Sequence, residues 1–171
     1  MTVIDKELFR KRVDSLSVRV AAENDSTIVG MLRPRVVDFD ADELRLTLAF
    51  PAAAWEENAG GVIHGGITAL MMDSAMGILA YAISGGMCPT MNLNISYPRP
   101  TPGGGTLIAR AKAVMTGRST LYLSAELWDE RAPDKITVTA SGVFHDLHQP
   151  LFQKVDTAET LGQAAPDPAA Q

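Results

Sequence analysis

The sequence contains little cysteine and no excess of positive charge. Cys88 is the only cysteine in 171 residues, so the chain cannot form an internal disulfide, as is typical of proteins in a reducing cytosol. Lys and Arg number 15 against 20 Asp and Glu, which gives a formal net charge of -5. Because a nucleic-acid surface is usually basic, this balance argues against nucleic acid as a partner.

The beginning of the chain also lacks a targeting pattern. Residues 1–7 have neither the basic start nor the apolar core of a signal peptide. Together with the single cysteine, this predicts a cytoplasmic location. A length of 171 residues suits one domain with a complete core, and 46% apolar with 20% charged residues is ordinary for a soluble globular protein.

Charge is nearly absent from the longest apolar run, residues 67–83. Its only ionisable groups are the Asp73 carboxyl and the Tyr81 phenol. A charged side chain on an apolar element costs free energy unless it is paired or serves a purpose. We therefore predict that Asp73 is a buried catalytic acid. The structural alternative is an acid that is paired with an arginine or that caps a backbone.

The same run is almost long enough to cross a membrane. Asp73 near its middle would oppose insertion by roughly 2.5–3.5 kcal/mol. Ala, Gly, Ser and Met also outnumber Leu and Ile in the run. We therefore predict a helix that is buried on all sides within a soluble protein, and no membrane partner.

Hydrophobic periodicity predicts the order of the elements. The spacing of apolar residues over 4–16 predicts a short N-terminal helix, and residues 21–30 are predicted to form a loop. A long helix is predicted to begin at Gly65 or Gly66 and to end at Gly85-Gly86. Strands are predicted at 31–38, 43–50, 90–97, 106–115, 120–129 and 135–145.

These elements predict an α+β fold in which an antiparallel sheet curls round one long helix. An exposed edge strand of such a sheet would favour dimerisation. The chain is predicted to divide into an N-terminal helix and linker at 1–29, a folded domain at 30–148 and a C-terminal tail at 149–171. The tail is rich in Ala, Pro and Gln and is predicted to be disordered.

One motif combines glycine, histidine and a carboxylate. Its spacing is N-x-x-G-x-x-H-G-G, at Asn58, Gly61, His64, Gly65 and Gly66, and Asp73 follows His64 by nine positions. Downstream come the strand 91–97, then Pro98-Arg99-Pro100 and the turn Gly117-Arg118-Ser119. Over residues 30–146 the chain resembles the hotdog-fold acyl-CoA thioesterases of the phenylacetate-degradation (PaaI-like) type.

The resemblance implies a fold, an assembly and a reaction. The fold is a hotdog fold, in which a long central helix is wrapped by a curved antiparallel sheet. The assembly is a homodimer, or a homotetramer built as a dimer of dimers, with active sites at the dimer interface. The reaction is hydrolysis of an acyl-CoA thioester to a free carboxylic acid and coenzyme A.

The resemblance also implies roles for single residues. Asp73 would be the general base or the nucleophile, and Asn58 would place the water or polarise the thioester carbonyl. The amide of Gly65 would point at the thioester oxygen. His64 would lie close to the acyl-sulfur junction, and Thr90 would orient the reacting water. The resemblance also implies substrate-binding residues that contact coenzyme A: Gly66, Arg99, Arg118 and Ser119.

These residue types suit the chemistry. Thioester hydrolysis builds negative charge on the carbonyl oxygen, and an unpaired glycine amide at a helix N-terminus meets that charge with the favourable end of the helix dipole. A carboxylate can activate water. The sequence has no Gly-x-Ser-x-Gly elbow and no His near Cys88. His145 and His148 lack a further His or Cys for a metal site, so no metal or cofactor is expected.

Alternatives stay open from the sequence. A hotdog hydratase or dehydratase would carry a His in a proline-rich loop and an acid further along the helix, and a non-catalytic acyl-CoA-binding module would lack the acid at Asp73. Asn58 could be an ordinary loop residue, and His64 could be a helix cap. The acyl group is undecided between aryl-acetyl, hydroxybenzoyl and medium or long fatty acyl groups.

Overall fold

The computed structural model describes residues 4–22 and 27–149, and for residues 18–22 it describes the backbone alone. A 3-10 turn spans Ala54–Glu56. The other elements, in chain order, are α1 Lys6–Ala22, α2 Ile28–Leu32, β1 Arg35–Asp40, β2 Arg45–Pro51, α3 Gly65–Ser84, β3 Thr90–Ser96, β4 Thr106–Thr116, β5 Thr120–Asp129 and β6 Ile136–His145.

The six strands form one antiparallel sheet in the order β1-β2-β4-β5-β6-β3. Helix α3 packs against five strands of this sheet, β2, β3, β4, β5 and β6. The sheet therefore curves round the helix. This is the hotdog fold, and the predicted α+β class is confirmed. Strands β1 and β3 are the two edges of the sheet.

Glycine and a histidine cap set the limits of α3. The His64 side chain accepts a hydrogen bond from the Gly66 amide at the N-terminus of the helix, and Gly85 ends the helix with φ +80°. A positive φ at this position favours glycine, as in most helices that end in the left-handed conformation. The predicted helix limits are confirmed. The side chains that face the sheet are fully buried: Met71, Met72, Ala75, Met76 and Leu79.

The opposite face of α3 is only half-buried in the single chain. That face carries Leu70, Asp73, Ser74, Gly77, Ile78 and Tyr81. The prediction of a helix buried on all sides is wrong for one chain, because the sheet covers only one side of it. By length and composition α3 could cross a membrane, since it has 20 residues and a stretch of 18 of them has a mean hydropathy of 1.5. Half of this stretch is buried against the rest of the chain, and the core helix of a soluble protein can pass the same test of length and composition.

The first predicted strand and the loop before it are placed differently in the structure. Residues Ile28–Leu32 form a short helix, whose N-terminus is capped by a hydrogen bond from the Gly30 amide to Thr27 Oγ1 at 3.0 Å. The helix ends at Arg33, whose φ is 48°. An apolar run this short does not distinguish strand from helix by periodicity, so the cap and the buried Leu32 decide. Strand β1 then begins at Arg35.

Strand β2 is buried on both faces, although alternation predicts one buried face. All residues from Leu46 to Phe50 are buried. The outward-facing Thr47 and Ala49 are small, and each lies opposite a longer side chain of β4, namely Arg110 and Ile108. A small residue between longer neighbours loses its exposure even on the outer face of a sheet.

The predicted N-terminal helix is confirmed and packs on the core. Phe9 and Val13 of α1 are fully buried, and α1 contacts α3 and β1. The division of the chain at residues 29 and 149 stays a prediction. The tail at 149–171 was predicted to be disordered. Its residues from 150 onward lie outside the described part of the chain.

Candidate active site

A carboxylate and a hydroxyl meet where α3 faces the start of β3. The Thr90 hydroxyl donates a hydrogen bond to Asp73 Oδ1 at 2.7 Å. Because the hydroxyl hydrogen is committed to Asp73, the Thr90 oxygen can still accept a hydrogen bond from water. Asp73 is half-buried rather than fully buried. No basic side chain among the described residues forms an ion pair with Asp73. Within those residues, Asp73 is therefore not a structural acid paired with an arginine.

The N-terminus of α3 offers one free amide. His64 Nδ1 accepts from the Gly66 amide at 2.9 Å, and the His64 carbonyl accepts from Ile67 and Thr68. No acceptor for the Gly65 amide is found in the part of the chain that the structure describes. The first amides of a helix have no partner within the helix. His64 is therefore a helix cap, and the Gly65 amide remains available as a donor.

Tyr97 is a site residue that the sequence did not single out. Its hydroxyl donates to the Gly65 carbonyl at 3.0 Å, and its ring lies 3.6 Å from the position that a Cβ on Gly65 would take. Tyr97 thus fixes the peptide plane that follows Gly65. In the sequence, Tyr97 continues the alternation of the apolar residues Leu93 and Ile95. That alternation predicted Tyr97 as the end of a strand and not as a site residue.

Asn58 lies in a tight, exposed turn. Its side-chain oxygen accepts from the Gly60 amide at 2.8 Å, and its backbone amide donates to the Val62 carbonyl at 2.8 Å. Gly61 closes the turn with φ +72°. The loop-residue interpretation therefore describes Asn58 within one chain. Its side-chain NH₂ group has no acceptor among the described residues, and the residue is exposed, so the group can donate to a ligand.

Glu56 is a buried acid two residues before Asn58, and no sequence pattern identified it. Its side chain is 1% exposed. Oε2 accepts from the Ala53 amide at 3.2 Å, and the Glu56 carbonyl accepts from the His64 amide at 2.8 Å. Oε1 has no hydrogen-bond partner among the residues that the structure describes. Burial raises the pKa of Glu56. No pattern in the sequence separates this glutamate from the exposed Glu57 beside it.

One chain does not bring Gly65 and Asp73 to a common point. Eight residues separate them on α3, which places them about 12 Å apart along the helix axis at 1.5 Å per residue. They also line different cavities. Asp73 and Thr90 line one of about 460 Å³. Gly65, Tyr97 and Arg99 line another of about 340 Å³.

The other predicted binding residues are scattered. Arg99 is exposed, and its guanidinium donates to the Ile136 carbonyl at 2.8 Å. Arg118 and Ser119 line a third cavity, of about 310 Å³, at the C-terminal end of α3. Two carboxylates, Asp5 and Asp146, and a second guanidinium, Arg12, line that cavity too, so its cationic and anionic side chains are balanced. The Gly66 amide is already taken by His64.

Cys88 lies in the same cavity as Asp73 but is not activated. Its sulfur is 3.1 Å from the Ser84 hydroxyl oxygen, and burial raises the pKa of its thiol. A raised pKa lowers the thiolate fraction at neutral pH, so Cys88 is poorly suited to act as a nucleophile. Within residues 4–22 and 27–149, no cluster of three or more His, Cys, Asp or Glu could hold a metal ion.

Comparison with known proteins agrees with the fold. A family model, the Thioesterase superfamily, matches residues 60–135. An uncharacterized acyl-CoA thioester hydrolase of Buchnera aphidicola is 31% identical over 106 residues, which cover 61% of this chain and 76% of the relative. The chain belongs to the thioesterase superfamily.

Two further relatives show how far the similarity extends. Acyl-coenzyme A thioesterase THEM4 of Bos taurus is 30% identical over 105 residues, which cover 60% of this chain but only 41% of the bovine protein. A solved structure, the phenylacetic acid degradation-related protein of Ralstonia eutropha JMP134, has a TM-score of 0.67 at 26% identity and covers 81% of this chain and 98% of that one. These comparisons confirm the resemblance to the phenylacetate-degradation type.

Proposed function

We propose that this protein hydrolyses an acyl-CoA thioester to a free carboxylic acid and coenzyme A. The hydrogen bond between Thr90 and Asp73, beside a largely apolar cavity in a chain of the thioesterase superfamily, is the observation that carries this proposal. Two relatives are named as an acyl-coenzyme A thioesterase and an acyl-CoA thioester hydrolase. Because Asp73 is present, an enzyme is favoured over a binding module without an acid.

Asp73 acts as the general base in this proposal. Thr90 donates to Oδ1, which leaves Oδ2 to accept a proton from a water molecule held by the Thr90 oxygen. The water oxygen forms a bond to the thioester carbon, and the carbon–sulfur bond then breaks. The departing sulfur takes up the proton, so the products are a carboxylic acid and the free thiol.

The Gly65 amide stabilises the negative charge that develops on the thioester oxygen. It is an unpaired donor at the N-terminus of a helix of 20 residues, where the helix dipole favours negative charge. Removing one such donor typically lowers kcat about 10²–10³-fold. Tyr97 holds the following carbonyl, so it positions this part of the backbone without touching the reacting atoms.

A dimer would bring a Gly65 amide and an Asp73 carboxylate close together. Since Gly65 and Asp73 of one chain are about 12 Å apart along α3, they cannot both contact one thioester carbon. An antiparallel pairing of two α3 helices across a two-fold axis would bring Asp73 of one chain to Gly65 and Asn58 of the partner subunit. The half-buried face of α3 and the free edge of β3, where Met91 is 66% exposed, are surfaces that a partner could cover.

The remaining assignments complete the proposal. Arg99 at the Gly65 cavity, and Arg118 with Ser119 at the far end of α3, would bind the nucleotide part of coenzyme A. Gly66 would let the substrate approach the backbone. The dimer would pair further into a homotetramer, and the protein would be cytoplasmic. The hydrolysis itself uses no cofactor.

The test is the release of coenzyme A thiol from a panel of acyl-CoA substrates. The wild type should release thiol, and Asp73→Asn should lower kcat by about 10²–10⁴-fold, as for a lost general base. Asp134→Asn, at an exposed turn, is the matched control and should keep full activity. Normal turnover by a folded Asp73→Asn protein would refute the mechanism, and no thiol release by the wild type would refute the function.

A further inference from the structure

Two short segments, residues 56–58 and 62–64, pair as the arms of a hairpin just before α3. A backbone hydrogen bond of 2.8 Å joins the arms at each end, and an antiparallel bridge lies between these two bonds. Asn58 is the last residue of the first arm, and Gly65 directly follows the second arm. The hairpin therefore sets the position of the Asn58 side chain relative to the Gly65 amide.

The second arm of the hairpin is held from both sides, whereas the first arm is not. In an antiparallel pair, alternate backbone groups point away from the partner strand. On that outer side of the second arm, the Ile63 amide donates to the Thr101 carbonyl at 2.9 Å, and Val62 bridges to Pro102. Among the described residues, the only other backbone partners of the first arm lie in and just before the 3-10 turn Ala54–Glu56. The position of the first arm therefore depends on this turn.

Glu56 belongs to both the 3-10 turn and the hairpin. Its Oε2 accepts from the Ala53 amide at 3.2 Å, and its own amide donates to the Ala53 carbonyl at 3.0 Å. Its carbonyl accepts the hydrogen bond that closes the open end of the hairpin. Because the side chain is buried, water cannot easily replace it as the acceptor for the Ala53 amide. Loss of this side chain should therefore loosen the turn and the arm that continues from it.

A buried carboxyl is an unfavourable group with which to hold a turn. Burial raises the pKa of Glu56, and Oε1 has no hydrogen-bond partner among the described residues. An unpaired buried polar atom opposes folding. Residues that hold a functional group in place often carry such a cost, since the group beside them must keep one position.

We propose that Glu56 is a positioning residue that acts through the hairpin to hold Asn58 in its place at the active site. The inference rests on the proposed thioester hydrolysis. Glu56 is buried, so it would not touch the substrate itself. A displacement of about 1 Å in a group at the reacting centre can lower turnover about 10²-fold. Because the second arm keeps its bond to Thr101, loss of the Glu56 side chain should displace Asn58 more than Gly65.

The test is a double-mutant cycle with thiol release from acyl-CoA as the assay. Glu56→Ala should lower kcat about 10–100-fold and change KM little, since the displaced group acts in the transition state. In the Asn58→Ala background, Glu56→Ala should lower kcat by less than about threefold, because the residue through which it acts is gone. Glu56→Gln keeps an oxygen that can accept from the Ala53 amide and should keep most of the wild-type kcat.

Two further variants separate positioning from a general loss of stability. Glu56→Leu fills the space of the side chain without supplying an acceptor, so it should lower kcat as Glu56→Ala does while leaving no large void. Thr137→Ala removes a different buried hydrogen bond, from Oγ1 to the Leu127 carbonyl at 3.2 Å. It should lower the melting temperature but keep the wild-type kcat.

The outcomes distinguish this inference from the proposed function. If the wild type releases no thiol from any acyl-CoA, the proposed function fails and the inference fails with it. If the wild type is active and a folded Glu56→Ala or Glu56→Leu protein keeps its kcat, the inference fails while the function stands. Losses that multiply fully in the Glu56→Ala, Asn58→Ala double variant, or a Glu56→Gln protein as slow as Glu56→Ala, would also overturn the inference.

Discussion

Gly65 and Asp73 lie on the same helix, eight residues and about 12 Å apart along its axis. A donor to the thioester oxygen and a base for the attacking water must both act within hydrogen-bond reach of one carbonyl group. The rigid helix prevents this within one chain. Under the proposed mechanism, the two groups of one active site would therefore come from two chains.

Mixed dimers test this shared site. Asn58→Ala and Asp73→Ala homodimers should each be nearly inactive. When they are unfolded together and refolded at equal concentrations, half of the dimers should be mixed, and each mixed dimer carries one intact site. Thiol release should then return to about a quarter of the wild-type value under random pairing. An inactive mixture, with mixed dimers confirmed by mass, would show that both residues act from the same chain.

Thr90 should affect turnover through its bond to Asp73. Thr90→Val keeps the shape of the side chain but removes the donor to Oδ1 and the acceptor for water. A hydrogen bond to a charged group is worth about 1.5–3 kcal/mol, so kcat should fall roughly 10–100-fold. Thr90→Ser keeps the hydroxyl and should retain most activity. Equal activity of the valine and serine variants would remove Thr90 from the mechanism.

The general-base role of Asp73 predicts where solvent oxygen goes. In a single turnover in ¹⁸O-labelled water, the label should enter the released carboxylic acid and not the protein. A nucleophilic Asp73 would instead form an anhydride, and attack of water on its Asp73 carbonyl carbon would place label in the Asp73 carboxylate. Label in the peptide that contains Asp73, measured by mass spectrometry, would therefore refute the general-base role.

His64 should contribute to stability as a helix cap. His64→Ala removes the acceptor for the Gly66 amide and should lower the free energy of unfolding by about 0.5–2 kcal/mol. His64→Asn keeps a capping oxygen and should restore most of this stability in urea unfolding. If the asparagine variant is stable but has lost activity, His64 also contacts the substrate.

Glu56 should make stability depend on pH. Its pKa is raised in the folded protein by burial, so the folded state binds the proton more tightly than the unfolded chain does. The wild type should therefore lose stability relative to Glu56→Gln as pH rises above the usual glutamate value of 4.5, and the difference should be smallest below it. Glu57→Gln, at the exposed neighbour, is the charge control. Parallel stability curves for the wild type and Glu56→Gln would contradict this prediction.

Local patterns in the sequence determined the fold class and the helix that carries the site. Alternation predicted five of the six strands close to their positions, because the period of apolar residues records which face of an element meets the core. The His64-Gly65-Gly66 segment and Gly85 marked the ends of α3, since capping chemistry is local. The first strand was predicted to start at residue 31, four residues too early. The apolar run there is ambiguous between strand and helix, and the Thr27 cap and the burial of Leu32 make residues 28–32 a helix.

Only the tertiary structure decided which distant groups meet. The bond from Thr90 to Asp73 joins residues 17 positions apart on two elements, the Tyr97 bond to Gly65 spans 32 positions, and no periodicity encodes either contact. The sheet's curvature left the Asp73 face of α3 half-buried, where the sequence predicted full burial. The sequence thus determined the helix and its chemical groups, whereas packing of the sheet decided their exposure and partners, because burial depends on what the rest of the chain covers.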